Sequence, residues 1–320
     1  MKNISLGMIG YNHGNGHPYS FSAIINGYRQ DRMARSPYPV IADYLKKRSP
    51  FEFGIRNFSV DYVWAPEENI SRDISECCRI PHVVKRFEDM IGHVDGVIIA
   101  RDDAKSHRAL ARPFLEEGLH VFIDKPLATN HEDLDFFIPY LEKGQLMSGS
   151  GFRFHPRFMN PVFLDMLRSD MVCATAVTTI DWYKYGIHLI EAIQPVFQAP
   201  VLEVENIGSE VIDVVRLNYQ NGKYALVIRD NDLKGFNATF YTQSGRHVSV
   251  TFDDNFSCFR NMLFTFYEFM TTKRHVVDPA ETINLIRALI AARESRKRRT
   301  KITVDLSTGD MTHPSTTPVA

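Results

Sequence analysis

The first half of the chain alternates short apolar runs with amphipathic segments, and this alternation limits the fold more than any other feature of the sequence. Four apolar runs predict strands: ISLGMI, FSVDYVWA, VDGVIIA and HVFID. The segments between them, such as KSHRALARPFLEEG, carry apolar residues at helical spacing. Strands that alternate with helices in this way pair in parallel, with helices on both faces of the sheet. The first half therefore predicts an α/β domain.

After about residue 150 the pattern changes to strands with alternating apolar and polar residues. Tight-turn pairs, Asn221-Gly222 and Ser244-Gly245, join several of these strands, as in antiparallel hairpins. Two helical patterns, NMLFTFYEFMTTK and PAETINLIRALIAARESR, follow near the end. The second half therefore predicts an α+β domain built on a mostly antiparallel sheet. The polar stretch from about residue 307 to 320 predicts a disordered or extended tail.

Composition excludes several classes of partner. Lys and Arg number 37 against 38 Asp and Glu, so no general attraction to nucleic acid or to an anionic membrane is expected. The start of the chain lacks the shape of a signal peptide, and no apolar run approaches transmembrane length, so a cytoplasmic protein is expected. No metal site is expected, because the cysteines lack metal-ligand spacing. They are Cys77, Cys78, Cys173 and Cys258.

The stretch VFIDKPLATN places a charged side chain at the end of a buried strand. In an open α/β sheet, ligands bind outside the carboxyl ends of the strands. The ammonium of Lys125 could donate a hydrogen bond there to a substrate oxygen and stabilise charge that develops on it. Pro126 would fix the backbone behind it. The alternative is a surface lysine paired with Asp124 in a turn, and this stretch alone leaves both possibilities open.

A glycine-containing turn follows the first predicted strand and precedes a helix, which is where a dinucleotide fold binds phosphate. The spacing departs from G-x-G-x-x-G because Asn12 occupies the second glycine position. At the end of the second strand, Ala65 stands where an acidic residue would bind the ribose of NAD, so NAD and NADP both remain open. The loop residues expected to line a cofactor cleft are Gly10, Tyr11, Asn12, His13 and Gly14.

The segment from VDGVIIARDD to HEDLDFF resembles the core of the glucose–fructose oxidoreductase, inositol dehydrogenase and rhizopine-catabolism (Gfo/Idh/MocA) family. The family pattern there is a strand, a histidine in the next helix, a glycine and then Glu-Lys-Pro. His107, Gly118, Lys125 and Pro126 match this pattern, with Asp124 in place of the usual glutamate.

The resemblance continues downstream and in the same order. GSGFRFHPRF is similar to the family's link into its second domain, with Arg153 matching. DWYKYGIHLIEAI resembles its Gly-x-His helix and places His188 at the substrate-facing histidine. Taken alone, a histidine between apolar neighbours is more typical of a satisfied helix residue, so this assignment depends on the resemblance.

The resemblance implies a Rossmann domain over residues 1–127 and an α+β domain over residues 128–320, whose open sheet takes part in a homodimer or homotetramer. Family members mostly oxidise or reduce a sugar or cyclitol carbinol with NAD or NADP. Lys125 would polarise the reacting oxygen, and His188 would act as general acid or base. The substrate is then a sugar or sugar-like polyol, free, phosphorylated or nucleotide-linked. Further cofactor contacts implied are Ala65, Arg101, Asp102, His107, Asp124 and Pro126. His107 is more typical of a structural helix residue near the cofactor, and Arg101 and Asp102 equally suit a solvated turn.

The substrate side departs from the family pattern. Many relatives carry an aspartate four residues before the histidine, where this chain has Lys184. Asp181 would share the face of His188 if the helix began early, whereas Lys184 would face an anionic substrate group. Arg153 completes the expected substrate contacts. The extra segment from residue 29 to residue 57 would cover the cleft.

Two other functions remain open at this stage. The altered phosphate loop, Ala65 and Lys184 also suit a dinucleotide-binding sensor or scaffold without turnover. A relative that uses transient oxidation by NAD to cleave a glycosidic bond is the second alternative.

Overall fold

The computed structural model describes residues 3–307, so the predicted tail lies outside the described residues from residue 308 onward. Within the described range, no helix has both the length and the apolarity needed to cross a membrane.

The first half forms a six-stranded parallel sheet in the order β3-β2-β1-β4-β5-β6. Every strand pair in it is parallel, and the two central strands are buried on both faces because both are covered by helices. The strands are β1 Ile4–Ile9, β2 Phe58–Trp64, β3 His82–Val83, β4 Gly96–Ile99, β5 His120–Asp124 and β6 Leu146–Gly149. The helices are α1 His17–Asn26, α2 Gln30–Met33, α3 Pro39–Leu45, α4 Glu68–Cys78, α5 His107–Glu116 and α6 His131–Glu142.

The first sheet extends further along the chain than the predicted boundary at residue 127. Strand β6 pairs with β5 in parallel, with Val121 opposite Leu146 and Asp124 opposite Gly149. The helix α6 between them is the crossover that a parallel pair requires. The chain therefore leaves the first sheet at Ser150, and the segment Gly151–Phe154 that follows links the two domains.

The second half forms a seven-stranded sheet in the order β12-β11-β7-β10-β9-β8-β13. Only β7 and β10 pair in parallel; the other pairs are antiparallel, which confirms the predicted fold class. Gly222 and Gly245 sit in the hairpin turns with φ of 79° and 81°, a region that favours glycine. The strands are β7 Met171–Thr178, β8 Val201–Asn206, β9 Asp213–Tyr219, β10 Tyr224–Arg229, β11 Asn237–Thr242, β12 His247–Thr251 and β13 Ile302–Thr303.

Four helices complete the second half. They are α7 Pro161–Asp170, α8 Ile187–Phe197, α9 Asn255–Thr272 and α10 Pro279–Arg298. Helix α8 is buried along nearly its whole length, and α10 packs against it and against β8. Trp182 lies in a π-turn, Trp182–Gly186, just before α8, and its indole N–H donates to the carbonyl of Leu289 in α10 at 3.0 Å. This bond fixes the turn that leads to His188.

Helix α9 belongs to the second half by sequence but packs against the first sheet. Its aromatic residues join the apolar core that contains Leu6, Met8 and Ile98. The ring of Phe122 in β5 lies 5.5 Å from that of Phe266 and 6.5 Å from that of Phe21 in α1. Helix α9 therefore completes the core of the first domain, although it follows the second sheet in the sequence.

Replacing Phe122 with alanine should lower the free energy of unfolding by about 3–5 kcal/mol, because loss of the fully buried ring would leave a cavity in this core. The matched control is Phe51→Ala, since Phe51 is 97% exposed and Phe122 is 0% exposed. Urea unfolding of both variants measures the difference. Equal losses in the two variants would contradict this account of the core.

Candidate active site

Lys125 is buried at the point where the two sheets meet. The side chain is 3% exposed, so it is not the surface lysine of the alternative interpretation. Its Nζ donates to the main-chain carbonyl of Lys184 at 3.4 Å and lies 5.8 Å from the ring centre of Tyr185. Both contacts come from the turn before α8. The ammonium of the first domain thus lies against the second domain.

His188, the second residue of α8, faces the same region. Its Nδ1 lies 2.5 Å from Oγ of Ser150, and its ring packs against that of Phe152 with centres 4.8 Å apart. Burial, followed by the nearby positive charges of Lys125 and His17, holds the pKa of His188 well below its ordinary value. His188 is therefore neutral at pH 7. Both groups lie beside the ring of Tyr185, whose centre is 6.1 Å from that of His188 and 5.8 Å from Nζ of Lys125.

Asp124 pairs with a histidine that the sequence analysis did not identify. Nδ1 of His17, the first residue of α1, lies 2.5 Å from the carboxylate of Asp124, which is almost fully buried. Asp124 also accepts from the main-chain N–H of Lys125 at 2.9 Å. The carboxylate is thus used to hold His17 and the backbone of Lys125.

Asp102 lies at the centre of a second polar cluster, just beyond β4. Asn12 Nδ2 donates to its carboxylate at 2.6 Å, and Lys184 Nζ donates to the same oxygen at 3.1 Å. Burial alone would raise the pKa of Asp102, but Lys125, Asn12 and Lys184 together hold it below its ordinary value. The resemblance predicts an aspartate four residues before His188, where this chain has Lys184. Asp102 brings a carboxylate to this region from the first domain.

Asp181 does not join this cluster. Helix α8 begins at Ile187, so Asp181 lies before the π-turn rather than on the face of His188. Its carboxylate accepts from the main-chain N–H of Lys184 at 2.9 Å and lies 3.9 Å from Arg293. Asp181 therefore caps the π-turn and does not share a helix face with His188.

Arg153 is also occupied by the protein's own carboxylates. It forms an ion pair with Glu281 of α10, and its charge acts on Glu191 of α8. Both of these carboxylates lie on helices of the second domain, so Arg153 contacts that domain.

His107, for which a structural role and a cofactor contact were both considered, is fully buried. Its Nδ1 lies 3.1 Å from the carbonyl of Leu127 and its Nε2 lies 3.0 Å from the carbonyl of Arg101. Neither nitrogen is left for a ligand. Arg101 in turn donates to the carbonyl of Tyr11 at 2.6 Å and pairs with Asp103. These residues connect the loops at the ends of β1, β4 and β5.

The loop after β1 has the features of a diphosphate site. Gly14 has φ of 84° and open space beside it. Within residues 3–307, the main-chain N–H groups of His13, Gly14 and Gly16 donate to no protein acceptor. Free N–H groups in a turn before a helix form an anion-binding site, so these residues fit the diphosphate of a dinucleotide.

The extra segment between residues 29 and 57 packs against the start of α1. A side chain at Gly16 would collide with Ile41 and Tyr38 from this segment. The ring of Tyr38 also meets that of Tyr11 edge-on, with centres 6.4 Å apart.

Two further residues predicted to contact the cofactor are buried. At the end of β2, Ala65 donates its N–H to Ser71 Oγ at 2.7 Å, and Pro126 follows Lys125.

Glu191 is a buried acid that the sequence analysis missed. Its Oε2 accepts from the main-chain N–H of Ser150 at 2.6 Å. Burial raises the pKa of Glu191 to about 7, although the hydrogen bond from Ser150 and the charge of Arg153 act in the other direction. The spacing His188-x-x-Glu191 on one helix face was the available signal. Ser150 has no comparable signal, because its partners are distant in sequence.

Comparisons with known proteins agree with this architecture. Residues 42–152 match the model of a family described as an oxidoreductase family with an NAD-binding Rossmann fold. Over 97 residues the chain is 33% identical to YceM of Salmonella typhimurium, which is named as an oxidoreductase. That match spans 30% of this chain and 31% of that protein. The family match confirms the resemblance drawn from the motifs and the expected cofactor class, NAD(P).

Solved structures show the same fold over both domains. Apo scyllo-inositol dehydrogenase from Lactobacillus casei has a TM-score of 0.74 at 12% identity, over 95% of this chain and 98% of that one. The same enzyme with bound NAD(H) and scyllo-inositol has a TM-score of 0.72 at 12% identity, over 95% and 99%. Myo-inositol 2-dehydrogenase from Lactobacillus plantarum gives 0.72 at 12% identity, over 95% and 100%.

Replacing Glu191 with glutamine should change how stability depends on pH. The folded pKa of about 7 lies above the ordinary value of 4.5, so the folded state keeps a proton that the unfolded state loses. Wild-type stability should therefore fall between about pH 4.5 and pH 7 relative to Glu191→Gln, by up to about 3 kcal/mol. Urea unfolding across this range measures the difference.

The exposed Glu117→Gln is the matched control, and its difference from wild type should not vary in this way. A constant difference between wild type and Glu191→Gln from pH 4.5 to 7 would contradict the raised pKa.

Proposed function

We propose that this chain belongs to the Gfo/Idh/MocA oxidoreductase family and that it oxidises or reduces a carbinol carbon of a sugar or sugar-like polyol with NAD(P). The observation that carries the proposal is that Lys125 of the first domain and His188 of the second are both buried and both lie against the ring of Tyr185. A buried ammonium beside a neutral imidazole suits a reaction in which an oxygen gains or loses a proton.

The turn after β1 would hold the diphosphate, through the free N–H groups of His13, Gly14 and Gly16. When bound there, NAD(P) supplies or accepts the hydride. The sequence leaves the choice between NAD and NADP open, because residue 65, where an acidic side chain would bind the ribose of NAD, is an alanine. Thermal unfolding with each cofactor would distinguish them, because the cofactor that binds the folded state raises its midpoint.

Lys125 would donate a hydrogen bond to the reacting oxygen, and His188 would exchange the proton with it. The rings of Phe152, Tyr185 and Phe236 surround His188 within 6.1 Å and limit the access of water. A low dielectric strengthens the interaction between the ammonium and a developing alkoxide. The solved dehydrogenase with bound scyllo-inositol supports a cyclitol or related polyol as the first compound to test.

The proposal includes a cytoplasmic location. All four cysteines are free, and three of them are buried, as is typical of proteins from reducing compartments.

Replacing Lys125 with methionine or His188 with glutamine should lower turnover at least about 100-fold, because each substitution removes one polar group from the reacting oxygen. Both variants should still gain thermal stability with NAD(P), since neither residue belongs to the diphosphate loop. Assays with inositol isomers and NAD or NADP measure turnover. The exposed Lys143→Met is the control and should match wild type. Full turnover in either site variant would contradict the proposed roles.

We also propose that a second copy of the chain covers the exposed face of the second sheet. In β10 the residues facing away from the helices are apolar and half-buried, including Leu226 and Ile228. Ile228 lies opposite Val177 in β7 and Val214 in β9, so an apolar row crosses three strands. Such a row on a monomer suits contact with another protein surface.

Replacing Leu226 with arginine should convert the oligomer to a monomer, because a charge would be buried without a partner. Sedimentation velocity measures the mass. Val162→Arg is the control, since Val162 is 79% exposed and lies on helix α7, not on the strands that carry the apolar row. A monomeric wild-type protein, or an unchanged Leu226→Arg oligomer, would overturn the assignment.

A further inference from the structure

Ser150 contacts His188 in a way that decides which ring nitrogen carries the proton. Ser150 is fully buried, and within residues 3–307 its Oγ has two hydrogen-bond neighbours. One is the main-chain N–H of Phe152, at 3.2 Å, which can only donate. The other is Nδ1 of His188, at 2.5 Å, which either donates or accepts according to the tautomer.

Only one tautomer satisfies every atom of this arrangement. If Nδ1 accepts, the hydroxyl hydrogen of Ser150 is used and the oxygen also accepts from Phe152. If Nδ1 donates, the hydroxyl hydrogen is left without an acceptor in a fully buried position, which is unfavourable. The neutral imidazole then carries its proton on Nε2.

Glu191 keeps Ser150 in this position. Its carboxylate accepts from the main-chain N–H of Ser150 at 2.6 Å, while the side chain of the same serine reaches His188 one turn earlier on α8. The main-chain N–H of Ser150 and its side chain therefore both contact α8, through Glu191 and His188. The serine cannot shift along α8 without losing one of these two contacts.

Nε2 of His188 is the nitrogen left for a ligand. It has no hydrogen-bond partner within the described residues, and His188 keeps 6% of its surface exposed. With a proton on Nε2, the imidazole is a donor, and the ammonium of Lys125 is a donor with no acceptor capacity. The resting site thus offers the reacting oxygen two donors and no acceptor from these two residues.

We propose that Ser150 is a positioning residue that fixes His188 as a donor, so that the resting site recognises the carbonyl form of its substrate in preference to the alcohol. This inference rests on the proposed function and assigns its ligand class: an oxo-sugar or oxo-cyclitol. A carbonyl oxygen accepts two hydrogen bonds, whereas a hydroxyl must also place its own hydrogen. To act as a base towards an alcohol, His188 must first move its proton to Nδ1 and turn the hydroxyl of Ser150.

The direct test is ¹⁵N NMR of the imidazole nitrogens in protein labelled at histidine, without cofactor or substrate. The signals that are missing from the spectrum of His188→Gln are those of the His188 imidazole. In wild type, Nε2 of His188 should have the shift of a protonated nitrogen and Nδ1 that of an unprotonated one. Ser150→Ala should give a mixture of the two tautomers, and Ser150→Thr, which keeps the hydroxyl, should restore the wild-type pattern. A proton on Nδ1 in wild type would overturn the proposal.

The second test compares binding of inositol and of the matching inosose by calorimetry. Each is measured in a complex that cannot turn over, inositol with the reduced cofactor and inosose with the oxidised cofactor. The ketone should bind about tenfold more tightly in wild type, and Ser150→Ala should reduce this ratio. Equal affinities in wild type would refute the preference for a carbonyl. If neither compound binds, the inferred ligand class fails, while the NMR result still decides the position of the proton.

Discussion

The burial of one ammonium group, that of Lys125, shapes the region where the two domains meet. A buried cation is costly unless hydrogen-bond acceptors and opposite charge surround it. Here the acceptor is a carbonyl of the turn before α8, the aromatic face is that of Tyr185, and the charge comes from Asp102. The contacts come from both domains, so the position of Lys125 depends on how the domains fit together.

Much of the fold could be predicted from the sequence because its signals are local. The alternation of strands and helices, the hairpin glycines and the position of Lys125 after a strand all depend on neighbouring residues. The end of the first domain was placed too early, because β6 is short and follows a helix without a strong turn signal. Asp181 was expected near the substrate on the condition that α8 began early, but the π-turn before Ile187 removes that condition.

The parts of the site that sequence reasoning missed depend on distant residues. His17 meets Asp124 across 107 positions, and Ser150 meets His188 across 38. No periodicity links such pairs, and their contact follows from the order of strands in the first sheet and from the chain crossing at Ser150. His107 shows the opposite case, since it matches a motif but is fully buried, with its ring nitrogens against the main-chain carbonyls of Leu127 and Arg101.

The apolar contact between α6 and α10 has a consequence for how ligands could enter. Leu134 and Phe137 of α6, in the first domain, belong to one apolar core with residues of α10, in the second. Hinge opening, by which many two-domain enzymes admit ligands, would separate these helices and expose that core to water. Ligand exchange is therefore expected to proceed while the domains remain together, through rearrangement of smaller segments at the rim, such as Tyr11–Gly14 and the cover that carries Tyr38.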